Sequence, residues 1–250
     1  MIFTSDLVFS LGLLGLAGAL GAFYRLRVSL RGKARFDRTD KEGGSALVSK
    51  GMMEMAYWGL QPVGDLLIRL GLTPNAISYL SLVFGLFTAV ALGKGHFGIA
   101  GFLAMISALM DTLDGMVARK LQVSSDSGEV LDAAIDRYVE FLFIAGLMEF
   151  FRGQKIAFWI CALALLGSFM VSYSTAKAEA LQVTPPRGMM RRTERAVYLT
   201  LGAVLTPVFQ AITGMAIPLP MILALLLVAG LSNYSAVQRL RAIAESVKRR

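Results

Sequence analysis

Residues Asp111–Asp136 read "DTLDGMVARKLQVSSDSGEVLDAAID" and place five Asp and one Glu between strongly apolar runs. Asp111 and Asp114 are three apart and Asp132 and Asp136 four apart, so on helices each pair shares a face. The connection between them is short, which predicts antiparallel neighbouring helices and four carboxylates converging in one pocket. Carboxylates inside an apolar chain are costly and mark function. Their mutual repulsion demands counter-charge, and Arg119 alone cannot balance four acids. With oxygen donors only and no His or Cys nearby, Mg²⁺, Mn²⁺ or Ca²⁺ suits the cluster better than zinc. Mg²⁺ in turn points to a phosphate-bearing substrate, with two ions clamping a phosphoryl group as the expected arrangement. Gly115 and Ala118 form a smooth stripe beside these acids. Small-residue helix packing would produce the same stripe.

The surroundings are those of a membrane protein. Of the 250 residues, 56% are hydrophobic and 17% charged, with a mean hydropathy of +0.62. Several runs approach the roughly 20 apolar residues that cross a bilayer. The net charge of +8 does not indicate nucleic acid as a partner, because the basic residues cluster in loops beside apolar spans. Cys161, the one cysteine, cannot form an internal disulfide, and His96, the one histidine, lies in a short loop. Histidine catalysis and a His-ligated metal therefore have no basis.

Residues 5–24 form a first apolar run without a basic n-region, read as a retained transmembrane helix rather than a signal peptide. Arg- and Lys-rich sequence follows it. Residues 51–70 mix apolar and polar positions and read as an amphipathic helix along the membrane interface, broken near Pro62. Thr73 caps the next helix and Pro74 occupies its first turn. Six spans follow, at about 74–93, 97–119, 129–151, 155–181, 194–214 and 217–240. Connections rich in Lys and Arg alternate with connections that carry few charges, which puts the acids at the cytoplasmic side and the N-terminus outside. The predicted fold is an all-α integral membrane protein with a six-helix core, an extra N-terminal transmembrane helix and an interfacial helix. The expected divisions are 1–50, 51–70 and 71–250, with catalysis in the last.

The run Asp111-x2-Asp114-Gly115-x2-Ala118-Arg119-x8-Gly128-x3-Asp132-x3-Asp136 resembles the signature of the CDP-alcohol phosphotransferases, also called CDP-alcohol phosphatidyltransferases, at every fixed position and gap. The likeness extends over roughly 70–240 and implies a six-helix core. It also implies transfer of a phosphatidyl (or other substituted phosphoryl) group from a CDP-linked donor to an alcohol, with release of CMP. Carried over residue by residue, it makes Asp111, Asp114, Asp132 and Asp136 ligands of Mg²⁺ or Mn²⁺, and Asp136 the base that deprotonates the acceptor hydroxyl. It assigns the CDP donor to Pro74, Asn75, Ala76, Ile77, Gly115, Ala118, Arg119, Ser125 and Gly128. A guanidinium suits pyrophosphate oxygens at Arg119, whereas Asn75 can also serve a helix start and Ser125 a solvated loop. The resemblance further implies CDP-diacylglycerol as donor and a homodimer.

Downstream, "SYSTAKAEALQV" and "RRTER" are similar to the motifs of the branch that makes phosphatidylinositol phosphate or its archaeal counterpart. Ser172, Thr175, Lys177, Arg192, Arg195 and Arg239 are the expected acceptor residues, and a basic pocket there would hold a phosphorylated polyol. Thr175 stands where that branch has lysine and Lys177 where it has arginine, so glycerol 3-phosphate stays open beside inositol phosphate. A divalent-ion transporter would want its acids near the midplane in broken helices, not at one end beside a basic loop. An inactive scaffold fits poorly with a complete signature. The expected location is a bacterial inner or cell membrane, with the active site facing the cytoplasm.

Overall fold

The computed structural model describes residues 2–32, 36, 49–184 and 188–248. Most of the basic stretch after the first apolar run, part of the "TPPRG" loop and the last two arginines lie outside the described residues. Those described form eight helices and no strand: α1 (Ile2–Arg31), α2 (Lys50–Arg69), α3 (Pro74–Gly93), α4 (Phe97–Leu121), α5 (Asp126–Phe150), α6 (Lys155–Ala180), α7 (Arg192–Thr213) and α8 (Leu219–Lys248). The six expected spans correspond to α3–α8. By length and composition α1, α3, α4, α6, α7 and α8 can each cross a membrane. The acids and Arg137 dilute α5, yet it runs the length of α3. Gly85 faces Val139, Ala89 meets Gly146, and Gly93 faces Glu149, so α5 rises parallel to α3 through the same depth. The chain is a multi-pass membrane protein.

Local signals explain the boundaries. Thr73 Oγ1 accepts the Ala76 N–H at 3.3 Å and Pro74 starts α3, as expected of a cap followed by proline. Ser125 Oγ accepts the Gly128 N–H at 3.2 Å and starts α5. The first helix outruns its apolar stretch and ends at Gly32, whose φ of +76° closes it in the left-handed region.

Two expectations need correction. The second helix runs unbroken through Pro62. Pro62 stands on the exposed side, while Leu60, Gly64 and Leu67 on either side of it are buried. Tertiary packing against Leu113, Met116 and Val117 of α4 holds the helix across the missing hydrogen bond. The second correction concerns α4 and α5. They run antiparallel but touch each other sparsely, because α3 lies against both. One face of α3 gives Ser81, which bonds Ser107 of α4. Another gives the Gly85, Ala89 and Gly93 row to α5. A Cβ on Gly146 would stand 2.5 Å from the Ala89 carbonyl oxygen. Backbones this close need small residues, which are the usual means of association between helices in lipid.

The core therefore has two halves, with α3 central to α3–α5 and α8 central to α6–α8. They join where α4 meets α7 and α5 meets α6. At the end away from the acids, Leu92, Phe97, Ile144, Leu147, Phe151, Met221 and Leu225 fill the common interior. The first helix lies on α4 and α7. There Asp6 Oδ1 accepts the Ile99 N–H at 3.0 Å, and its Oδ2 is 3.1 Å from His96 Nδ1. Asp6 thus caps α4 from another helix, at a terminus where no local side chain caps it.

Candidate active site

The acids gather at the end of the bundle where α4 stops and α5 starts. Asp111, Asp132 and Asp136 each offer a carboxylate oxygen, all within 4.8 Å of one another. Asp136 is buried and the other two half-buried. Oxygen donors at this spacing fit a hard divalent cation, which binds carboxylates at about 2.0–2.6 Å. Asp114 stands apart from this set. It is buried, and its Oδ2 accepts the Ser78 hydroxyl proton at 2.6 Å. Ser78 belongs to the first turns of α3, so this bond draws the Pro74–Ile77 stretch up beside the acids. Gly115 and Ala118 are half-buried on the same helix, and Arg119 is exposed on its last turn. Ser125 is spent on capping α5, with Gly128 as the donor, and both sit in the turn leading to Asp132.

From the other half of the bundle, α7 brings its first turn over the acids. Arg192 Nη2 donates to Asp111 Oδ1 at 3.0 Å and also contacts Asp136 Oδ1. Arg195, one turn further, is only 1% exposed. Its Nε and Nη2 reach Glu140 Oε1 and Oε2 at 2.5 and 3.0 Å, and its Nη1 donates to the Met190 carbonyl at 3.4 Å. Arg195 thus has its donors committed to Glu140 and the backbone, while Arg192 sits on the acids. The Arg191 backbone N–H donates to Glu194 at 2.7 Å and fixes the start of α7.

The remaining expected acceptor residues lie on α6 and α8. Arg239 Nη2 donates to Thr175 Oγ1 at 3.0 Å, and its buried Nε has no hydrogen-bond partner among the described residues. Ser172 bonds back to the Ser168 carbonyl at 3.1 Å, and Lys177 is exposed in the last turn of α6.

Three residues here escaped sequence reasoning. Ser78 and Glu140 are the partners of Asp114 and Arg195. Arg137, beside Asp136, is half-buried with an Nη1 that finds no hydrogen-bond partner among the described residues. The available signal was periodicity. Glu140 lies four residues after Asp136 and shares its face, as Ser78 does with Pro74.

A complete signature, spread over two helices whose acids converge, invites comparison with known proteins. The family model of the CDP-alcohol phosphatidyltransferases matches residues 71–232. The chain belongs to the CDP-alcohol phosphatidyltransferase family. Phosphatidylinositol phosphate synthase of Corynebacterium glutamicum is 31% identical over 188 residues, which cover 72% of this chain and 82% of that protein. The crystal structure of Mycobacterium tuberculosis phosphatidylinositol phosphate synthase with CDP-DAG bound matches with a TM-score of 0.65 at 26% identity. It covers 73% of this chain and 92% of that one. The same enzyme in complex with manganese and citrate gives a TM-score of 0.66 at 26% identity, over 73% and 88% of the two chains. This CDP-alcohol phosphatidyltransferase is a membrane enzyme, and the all-helical core expected from its signature is the one it has.

Proposed function

We propose that this phosphatidyltransferase moves the phosphatidyl group of CDP-diacylglycerol onto a hydroxyl of a small phosphorylated polyol of the inositol phosphate class. The observation that carries the reading is the arrangement at the acid end. Carboxylates of α4 and α5 converge within 4.8 Å, and Arg192 of α7 reaches them from the opposite half. A carboxylate cluster suits a metal-bound diphosphate, and adjacent guanidinium groups suit a second, separate phosphate. The likeness to phosphatidylinositol phosphate synthases supports the inositol phosphate class in particular.

Asp111, Asp114, Asp132 and Asp136 would hold the divalent cations, Mg²⁺ or Mn²⁺ and two in number. Bound there, the ions supply charge neutralisation on the diphosphate and on departing CMP. Asp136 takes the proton of the acceptor hydroxyl. That oxygen forms a bond to the lipid-side phosphorus, the anhydride bond to the cytidylyl phosphate breaks, and CMP leaves with the electron pair. Ser78 holds Asp114 in place through its 2.6 Å hydrogen bond. The first turn of α3, with Gly115, Ala118, Arg119 and the Ser125–Gly128 turn, lines the donor side. Arg192, Arg239 and Lys177 serve the acceptor phosphate, with Thr175 and Ser172 as hydroxyl neighbours. Arg195 contributes through Glu140, by fixing the turn that carries Arg192.

We take 71–250 as the catalytic domain, with α1 and α2 packed against its outside. We place the acid end toward the cytoplasm of a bacterial membrane, because Arg25, Arg27, Arg119, Lys120 and Lys177 gather in the segments at that end. The assembly we propose is a homodimer, on the family likeness alone. The test is CMP release from CDP-diacylglycerol with Mg²⁺ and, in turn, inositol 1-phosphate, glycerol 3-phosphate, inositol and serine. Inositol 1-phosphate is expected to react fastest. A preference for glycerol 3-phosphate, or for uncharged inositol, would overturn the acceptor assignment.

A further inference from the structure

We propose that Arg192 is a tethered cation that competes with the divalent ion for the same carboxylate oxygens, so that metal loading and acceptor binding are coupled. The inference rests on the function proposed above and deepens it. Arg192 Nη2 lies 3.0 Å from Asp111 Oδ1 and also contacts Asp136 Oδ1. Those two carboxylates, with Asp132, form the group whose oxygens lie within 4.8 Å of one another. A guanidinium bridging two oxygens of a three-carboxylate group occupies the directions from which a cation would be bound. The bridge is shielded at Asp136, 10% exposed, and partly open at Asp111 and Arg192, 24% and 35% exposed, so its charge-assisted hydrogen bonds keep part of their strength.

The origin of Arg192 makes it a switch rather than a fixture. It is the first residue of α7, preceded by a loop and carried on a long flexible side chain. Arg195 by contrast is locked by Glu140 and by the Met190 carbonyl, which anchors the turn from which Arg192 swings. When a divalent ion takes the Asp111 and Asp136 oxygens, like-charge repulsion drives the guanidinium off them. Its side chain then turns toward the flank where α6 and α8 present Arg239 and Thr175. A phosphorylated acceptor bound on that flank holds Arg192 away from the acids. By linkage, the acceptor must then tighten the metal to the same degree that the metal tightens the acceptor.

The experiment is Mn²⁺ binding to the purified full chain in detergent, read as the loss of the free-ion EPR signal, without donor lipid and without turnover. Removing the competitor in Arg192→Gln is expected to tighten Mn²⁺ on the order of tenfold, the scale of one charge-assisted bridge. Arg192→Lys keeps the charge but cannot bridge both oxygens as a planar fork, so its affinity should fall between the two. It also serves as the readout if the Gln variant does not fold. In the wild type, saturating inositol 1-phosphate should tighten Mn²⁺ several-fold, whereas uncharged inositol should not, and in Arg192→Gln the inositol 1-phosphate effect should vanish. Unchanged or weaker Mn²⁺ binding in Arg192→Gln, or in Arg192→Lys if that alone folds, would overturn the competition. An Arg192→Lys affinity equal to that of the wild type would reduce the effect to net charge and overturn the bridge. Absence of any inositol 1-phosphate effect in the wild type would overturn the coupling. The comparison without acceptor does not depend on which alcohol is the substrate, so the acceptor assignment and the competition can fail separately.

Discussion

The Glu140–Arg195 pair joins the two halves of the bundle at the acid end through an ion pair in which both side chains are buried. Glu140 belongs to α5 and Arg195 to α7. Arg195 is 1% exposed and Glu140 9% exposed, with two parallel contacts of 2.5 and 3.0 Å. Replacing Glu140 by Gln keeps the shape but removes the charge. It also turns one acceptor into an NH₂ group facing a guanidinium donor. Removing one partner of a buried pair strands the other charge and costs about 3–5 kcal/mol. In a chain of this length that lowers the melting temperature on the order of 10 °C. The assay is thermal unfolding in detergent, alongside CMP release. The double variant Glu140→Met with Arg195→Met removes both charges and should regain most of the lost stability. Its activity should stay low, because the turn carrying Arg192 is no longer pinned to α5. A Glu140→Gln protein that melts with the wild type would refute the reasoning, since an uncompensated guanidinium cannot be buried at no cost. Equal loss of stability in the double variant would show that packing rather than charge is at stake.

Three further outcomes follow from the geometry. Asp136→Asn should cut CMP release about 10²–10⁴-fold, the usual share of a general base, while the fold persists; near wild-type turnover would remove Asp136 from that role. Ser78→Ala deletes the hydrogen bond to Asp114 and should weaken metal activation on the order of tenfold, seen as a rise in the Mn²⁺ concentration at half-maximal rate. An unchanged metal dependence would separate Asp114 from the metal site. Asp6→Ala removes a cap supplied to α4 from α1 and should cost about 1 kcal/mol of stability, with the acceptor preference untouched. If it changed the order of acceptors instead, α1 would have a part in the site that its packing does not suggest.

The chemistry was legible in the sequence because it is local. Asp111, Asp114, Asp132 and Asp136 sit within two short helical segments, and their spacing alone puts each pair on one face. The cap at Thr73 was readable for the same reason, whereas Ser125, which caps α5, read as a donor contact or a loop residue. What spacing could not show is which helix lies between which. A short loop made α4 and α5 look like packed neighbours, but loop length limits only the distance between two ends. The deciding contacts belong to α3, whose Gly85, Ala89 and Gly93 row admits α5 while Ser81 bonds α4 on another side. That row is visible in the sequence as small residues four apart. Its partner is not, since any small-faced helix would accept it.

The same limit explains the arginines. Arg192 and Arg195 are three residues apart and share a face, and both read as acceptor ligands. Their environments differ because of residues on another helix. Glu140 lies four residues beyond Asp136, so the face of α5 that presents an acid to Arg192 presents another to Arg195 one turn deeper. The deeper pair is sealed; the shallower one is partly open and bridges carboxylates whose spacing suits a divalent ion. Position along one helical face thus converts two identical side chains into a fixed strut and a movable charge. The distinction is one of depth in the bundle, which periodicity does not encode. It also predicts that exchanging the residues' duties fails in both directions. An uncharged side chain is costly to stability at 195 and tolerable at 192, while loss of the charge at 192 alters metal binding before it alters the fold.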